Sequence, residues 1–250
     1  MILRVLKLQA YPAAMNMAID EALIESIGKG ESPPTLRCYT WKHSAVSIGY
    51  FQSLQEEVDL QACKQKNVEI VRRITGGGAV FHDQELTYSI ILPDSLVPKD
   101  VLASYQFLCQ ALVNTFQKLG LHAQFVPIND ILITNQKISG NAQTRRNNCV
   151  LQHGTILLDI DVDTMFSLLK VPDEKMKGKI ISHIKERVTS IHNQLKRRIN
   201  SEEIVSILIN EFANLLNLSF QEGVLTDKEL KRAEELKRIK YLNNDWTGKK

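Results

Sequence analysis

The clearest apolar stripe in the chain is Val101, Tyr105, Leu108, Leu112, Phe116 and Leu119, recurring every three or four residues. That period predicts a helix stopped by Gly120. A second stripe, Met15, Ala18, Ile19, Ala22, Leu23 and Ile27, predicts a helix capped by Asn16 and ended at Gly28 and Gly30. Asp59 starts a short helix reaching Lys64. Apolar runs or alternations over residues 3–8, 36–40, 45–50, 68–72, 79–82, 86–92, 123–126 and 150–160 read as strands. Residues 130–134 and 137–139 form a tight hairpin about Asn135-Gln136, and a polar segment, 140–146, follows it.

Beyond Asp161 the pattern turns helical. Asp163 caps a helix over 164–170. Asn200 with Glu203, and Thr226 with Glu229, resemble capping boxes ahead of two further helices, the last running to about Lys240. Trp246 is placed to tack down the tail. The order predicts an α+β fold with a mixed central sheet flanked by helices. Its strand-rich core covers residues 1–161 and a helical part covers 162–250, all within one domain and with no separate accessory domain at the C-terminus.

Composition changes this picture little. A chain with 44% hydrophobic and 24% charged residues is an ordinary globule. No run approaches the roughly 18 apolar residues of a membrane span, and Met1-Ile2-Leu3-Arg4 lacks a signal-peptide pattern, so a cytoplasmic enzyme is expected. Cys38, Cys63, Cys109 and Cys149 form no CxxC pair and read as reduced packing thiols. A net charge of +3 does not argue for nucleic acid. Charge is nonetheless uneven: residues 170–198 carry nine basic side chains against Asp173, Glu174 and Glu186. That is either a solvated face or a docking face for an acidic partner.

Chemistry is suggested by four polar islands inside strand-like stretches: 72–82, 129–130, 137–143 and 152–155. Buried polar groups need partners or ligands, so four in one chain point to a shared site. The first island holds Gly76-Gly77-Gly78 behind Arg72-Arg73. Glycines permit close backbone approach, and guanidinium groups suit anions. No GK[ST] follows, and a strand rather than a helix comes next, so neither a Walker A loop nor a dinucleotide fingerprint is present. His82 and His153 have no metal-ligand partner at fixed spacing, so no zinc is expected.

Arg72-Arg73-Ile74-Thr75-Gly76-Gly77-Gly78-Ala79-Val80-Phe81-His82-Asp83, Asn129-Asp130-Ile131, Lys137-Ile138-Ser139-Gly140-Asn141-Ala142-Gln143 and His153-Gly154-Thr155-Ile156-Leu157 together resemble the lipoate–protein ligase family, within the biotin/lipoate ligase and octanoyltransferase superfamily. The likeness runs from about Met15 to Asp161. It implies that fold and an ATP-dependent ligase, which activates lipoate as lipoyl-AMP and passes the lipoyl group to a carrier lysine. By resemblance Lys137 is the catalytic cation, bridging nucleotide and lipoyl carbonyl, and Arg73 holds phosphate. Thr75, Gly76, Gly77, Gly78, Ala79, Val80, Phe81 and His82 line the acyl and phosphate sites. Asn129 contacts the nucleotide, Asp130 helps to hold magnesium, and Ser139, Gly140 and His153 complete the site. The implied cofactors are ATP and magnesium, with lipoate as substrate. The implied partners are lipoyl domains of 2-oxoacid dehydrogenase E2 subunits or the glycine cleavage H protein, and a separate small accessory subunit, because little chain is left to close the site. No nucleic acid or membrane partner is expected.

The superfamily also includes ATP-independent octanoyl and lipoyl transferases that use a cysteine nucleophile. Residues 36–52, 82–89 and 142–145 are similar to those as well. Cys149 is the candidate thiol in the right half of the chain, but it reads better as an inert core residue. The Asn129-Asp130 pair and the unbroken glycine triplet favour the ligase. A non-catalytic binding module using the basic 170–198 region is a third reading, opposed by the presence of Lys137 and the glycines.

Overall fold

The computed structural model describes residues 1–170 and 177–249, without the side chain of residue 177. Lys175, Asp173 and Glu174 of the basic region therefore lie outside the described residues. Among the described residues, eleven strands form two sheets. In the larger, β1 (Ile2–Tyr11) pairs in parallel with β2 (Thr35–Trp41). The sheet then runs antiparallel through β6 (Glu85–Pro93), β10 (Cys149–Leu157), β9 (Gln136–Arg146), β8 (Asp130–Ile133) and β7 (Ala123–Val126). The smaller sheet has β3 (Ala45–Ile48) between β4 (Glu69–Arg72) and β5 (Val80–His82).

The period of two in β6 explains the layering. Leu86, Tyr88, Ile90 and Leu92 enter one core, shared with α4 (Val101–Lys118) and α8 (Ser201–Leu216). Ile91 enters the opposite core, under α1 (Ala13–Gly28) and α9 (Asp227–Leu236). Glu85 and Thr87 share the Ile91 face of the strand, where they meet a cavity instead of solvent. A third, smaller cluster joins Val46 and Ile48 of β3 to Cys63 of α3 (Leu60–Gln65) and Leu168 of α5 (Val162–Leu168). The mixed sheet flanked by helices is the α+β arrangement that the patterning predicts.

Local differences have identifiable causes. The first helix begins at Ala13, not after Asn16; Asn16 is buried and donates to the carbonyls of Tyr11 and Thr40. Asp161, not Asp163, caps α5, accepting from Thr164 N at 2.9 Å. Asn200 caps α8 through Glu202 N, so no capping box forms there. At α9 the Thr226–Glu229 box is complete. Residues 140–146 continue β9 as strand, with Thr134 and Asn135 taking positive φ in its hairpin. A strand also lies in the region expected to be helical only: β11 (Ser219–Gly223) pairs in parallel with the edge of β1. It is exposed and polar, and it shows no alternation for a pattern to detect. No helix among the described residues is long and apolar enough to cross a membrane.

Candidate functional site

A cavity of about 400 Å³ opens between the two sheets. The loop after β4 and strand β5 supply one wall (Gly77, Gly78, Ala79, Val80, Phe81 and His82). Asn129, Lys137 and Gly140 stand on another, with Arg73 and His153 deeper. Met17, Tyr39 and Trp41 add an apolar floor, while Ile184 of α6 (Lys177–Arg187) and Val188 reach the rim. Of the residues singled out in the sequence, Thr75, Gly76, Asp130 and Ser139 do not line the space. A narrow, mostly apolar pocket with a few polar groups suits an acyl chain with one reactive end.

Backbone geometry at the glycine loop needs glycine at Gly77, whose φ is +94°. Arg73 holds this loop from inside. Its guanidinium donates to the carbonyls of Gly76 (2.9 Å), Gly78 (2.7 Å) and Ser47 (3.0 Å), and to Ser47 Oγ (3.1 Å). Burial brings its pKa down to about 10. Arg72 points elsewhere, donating to Gly49, Tyr50 and Gln52 carbonyls and to the tail at Trp246 and Thr247. Neither arginine is a free anion fork: their donors are committed to backbone oxygens and to Ser47.

Lys137 is the cation at the mouth. Its Nζ lies 2.7 Å from Asp130 Oδ1, and its side chain is 41% exposed. A Cβ on Gly140 would sit 2.9 Å from Lys137 Nζ, so the glycine makes room for the ammonium group. Asn129 is locked to its neighbour strand: its Nδ2 donates to Asn141 O at 2.5 Å, and Asn141 Nδ2 donates to Asn129 O at 2.9 Å. From Asn141 a buried polar chain continues through Tyr88 OH (2.7 Å) to Gln152 Nε2 (2.7 Å) and Gln143 Nε2 (3.0 Å from Gln152 Oε1). Part of the polar islands is therefore structural, with each strand's polar group satisfied by the next.

Two histidines have different surroundings. His153 Nε2 meets Thr75 Oγ1 at 2.8 Å, and its Nδ1 meets Asp20 Oδ2 at 3.3 Å. Asp20 is also bonded at 2.8 Å by Arg37. Burial lowers the pKa of His153, only partly offset by Asp20. Burial works against a charged Asp20, but Arg37 and His153 outweigh it and hold its carboxyl below the usual range. His82 Nε2 lies 2.7 Å from Ser47 Oγ and its Nδ1 2.8 Å from Glu85 Oε1, while Trp41 stacks on the ring at 3.9 Å. Sequence reasoning missed Ser47, Glu85 and Trp41. The signal available was a polar serine between buried Val46 and Ile48, facing away from their core.

All four cysteines are buried and none lines the cavity. Burial pushes the thiols of Cys38 and Cys109 up to about 12 and those of Cys63 and Cys149 up to about 11. Cys149 is a core residue, packed with the cluster under α1.

The sheet order and the cavity between the two sheets define a mixed α+β catalytic-domain fold. Residues 12–213 match the lipoyl protein ligase A/B catalytic domain, and the chain belongs to that family. It is 37% identical to the octanoyltransferase LipM of Brevibacillus brevis, over 95% of each chain. It is 36% identical to that of Clostridioides difficile, over 99% of this chain and 98% of the relative. Among solved structures, a bipartite lipoate protein ligase of Thermoplasma acidophilum, described with its E2 lipoyl domain, is 34% identical with a TM-score of 0.90, covering 99% of this chain and 96% of its own. The octanoyltransferase relatives overturn the expectation of an ATP-dependent, adenylate-forming lipoate ligase. With it go ATP and magnesium as cofactors and Asp130 as a magnesium ligand. What Asp130 is seen to hold is Lys137.

Proposed function

We propose that the protein is an octanoyl or lipoyl transferase, moving the acyl group from a thioester donor to the side-chain amine of a carrier-domain lysine without ATP. Full-length similarity to octanoyltransferases carries this reading. The cavity supports it: an apolar space for a thin chain, with one partly exposed ammonium at its mouth. The acceptors that suit the family are lipoyl domains of E2 subunits or the H protein.

The chemistry needs no external energy, because a thioester is already activated. As an amine or hydroxyl adds to the acyl carbonyl, negative charge grows on its oxygen. Positive charge or aimed N–H groups at that point lower the barrier. Lys137, held by Asp130, supplies the charge, and the glycine loop supplies N–H groups. The acceptor lysine must arrive neutral, since its free pKa is about 10.4. The departing thiolate is a ready proton acceptor.

The test is purified protein with an octanoyl acyl-carrier thioester and an apo lipoyl domain, with no nucleotide, read by intact mass. Octanoylated domain is expected. A product that forms only from free octanoate or lipoate with ATP would overturn the reading.

A further inference from the structure

Arg73 supports the glycine loop from inside the cavity wall. A second support reaches the same loop from the segment around Trp246, which does not border the cavity. We propose that Trp246 and Arg72 are positioning residues for acyl transfer: they hold the back of the glycine loop and so fix the N–H groups offered to the acyl carbonyl. The inference rests on the transferase reading above.

The support touches the loop at two points. A Cβ on Gly49 would collide with the Gly77 carbonyl oxygen and lie 3.3 Å from the Gly76 carbonyl carbon, so the Gly49 backbone lies directly against the Gly76–Gly77 peptide. The next residue, Tyr50, donates its N–H to the Thr75 carbonyl at 2.9 Å. Arg72 ties this turn together. Its Nη1 donates to the carbonyls of Gly49, Tyr50 and Gln52 at 3.0, 3.1 and 2.7 Å.

Trp246 fixes Arg72 in turn. The indole Nε1 donates to the Arg72 carbonyl at 2.9 Å, while the carbonyls of Trp246 and Thr247 accept from the guanidinium at 3.0 and 2.8 Å. The indole packs against Tyr50 and Tyr241, with ring centroids 5.8 and 6.3 Å away, and Lys240 Nζ lies 4.1 Å from its centroid. Lys240 and Tyr241 are themselves bound to α1: Lys240 Nζ lies 2.7 Å from Glu21 Oε1, and Tyr241 OH donates to Glu21 Oε2. A continuous set of contacts therefore runs from α1 through Trp246, Arg72 and Gly49 to Gly77.

The loop needs such a support. Three glycines in a row restrict their own backbone least of all residues. Gly77 and Gly78 border the cavity, and among the described residues their N–H groups donate to no protein acceptor. They are open to a ligand oxygen, but an N–H lowers the barrier only if it is already aimed where charge develops. A misplacement of about 1 Å can cost about 10²-fold in rate. The support meets the loop's peptides and not the apolar floor, so its loss should slow the reaction and spare donor binding.

The experiment compares the wild type with Trp246→Phe, which keeps a ring against Tyr50 and Tyr241 but has no N–H for Arg72, and with Trp246→Ala. All assays run well below the melting temperatures. Hydrogen exchange read by mass spectrometry should quicken several-fold over residues 73–80 in Trp246→Phe and stay unchanged over residues 105–116 of α4. Transfer from an octanoyl acyl-carrier thioester to an apo lipoyl domain, without nucleotide, should show kcat lowered about 10-fold in Trp246→Phe and further in Trp246→Ala, with the donor KM within a few-fold of wild type. Unchanged exchange over 73–80, an equal rise in α4, or a wild-type kcat in folded Trp246→Ala would overturn the assignment and leave the transferase reading intact. A wild-type protein without ATP-independent transfer would defeat the transferase reading, whereas the exchange measurement needs no substrate and judges the loop support by itself.

Discussion

Arg72 and Trp246 hold each other by their backbones: Arg72 Nε donates to the Trp246 carbonyl at 3.0 Å, and Trp246 Nε1 donates to the Arg72 carbonyl at 2.9 Å. Three more carbonyls, of Gly49, Tyr50 and Gln52, share the same guanidinium. The tail thus closes over the strand that feeds the glycine loop. Arg72→Met would leave several buried carbonyls unpaired, and we expect at least about 3 kcal/mol of lost stability. Trp246→Ala should cost less, about 1–3 kcal/mol, since the Arg72 bonds to backbone survive. Urea unfolding of both variants checks the order.

Much of this architecture was legible because it rests on periodicity. Leu108, Leu112 and Phe116 of the α4 stripe and Leu86 to Leu92 of β6 bury the faces their spacing implies, although Val101 at the start of α4 is exposed, and Thr226 with Glu229 forms its box. What was not legible lacks a periodic signal. β11 is an exposed polar edge held by main-chain bonds to β1, and Asn16 resembles a cap because its amide binds backbone, though from inside the helix. Arg72 and Arg73 look like anion ligands in a sequence, but only coordinates show their donors committed to carbonyls. The division between ligase and transferase was hidden for another reason. The sequence resembles both classes, and the glycine triplet and the Asn129-Asp130 pair that tipped the reading toward the ligase stand in a chain whose full-length relatives are octanoyltransferases.

Lys137 and Cys149 separate two accounts of the chemistry. Lys137→Ala removes the mouth cation from a partly exposed site, so folding should be unaffected while transfer falls about 10²–10³-fold. Cys149→Ala empties a small core position and should leave transfer unchanged, with a modest loss of stability. Initial rates and thermal melts of both variants suffice. A dead Cys149→Ala protein with a wild-type melt would restore a thiol mechanism.

His153 couples stability to pH. Its folded pKa is held below the ordinary value by burial, against a partial pull from Asp20. An unfolded chain protonates this imidazole at about pH 6.5. Below that pH the unfolded state holds more protons, so the His153 contribution is present above it and is lost as pH falls toward the folded pKa. His153→Gln keeps an acceptor for Thr75 and a donor for Asp20 but cannot titrate. We expect it to flatten the decline of stability just below about pH 6.5, measured as denaturant midpoints across pH. Parallel curves for the two proteins would refute this.

The basic segment should govern carrier docking. Ile184 and Val188 reach the cavity rim, Val188 bridges to Lys137, and Thr189 N donates to the Lys137 carbonyl at 2.9 Å. The segment is therefore tied to the strand bearing the mouth cation. Lys179, Arg187, Lys196, Arg197 and Arg198 are exposed along it, whereas Lys185 is engaged by Asp163. A carrier presenting its lysine to the mouth must pass this face, and exposed charges attract over a Debye length of about 8 Å at physiological salt. If the carrier surface is acidic, KM for the apo lipoyl domain should rise with salt while KM for a small acyl thioester barely moves. Arg197→Glu with Arg198→Glu should raise the carrier KM several-fold at low salt, leave kcat near wild type, and abolish most of the salt dependence. Equal salt effects on both substrates would mark the segment as a solvated face, since electrostatic steering acts on the partner whose charge it meets.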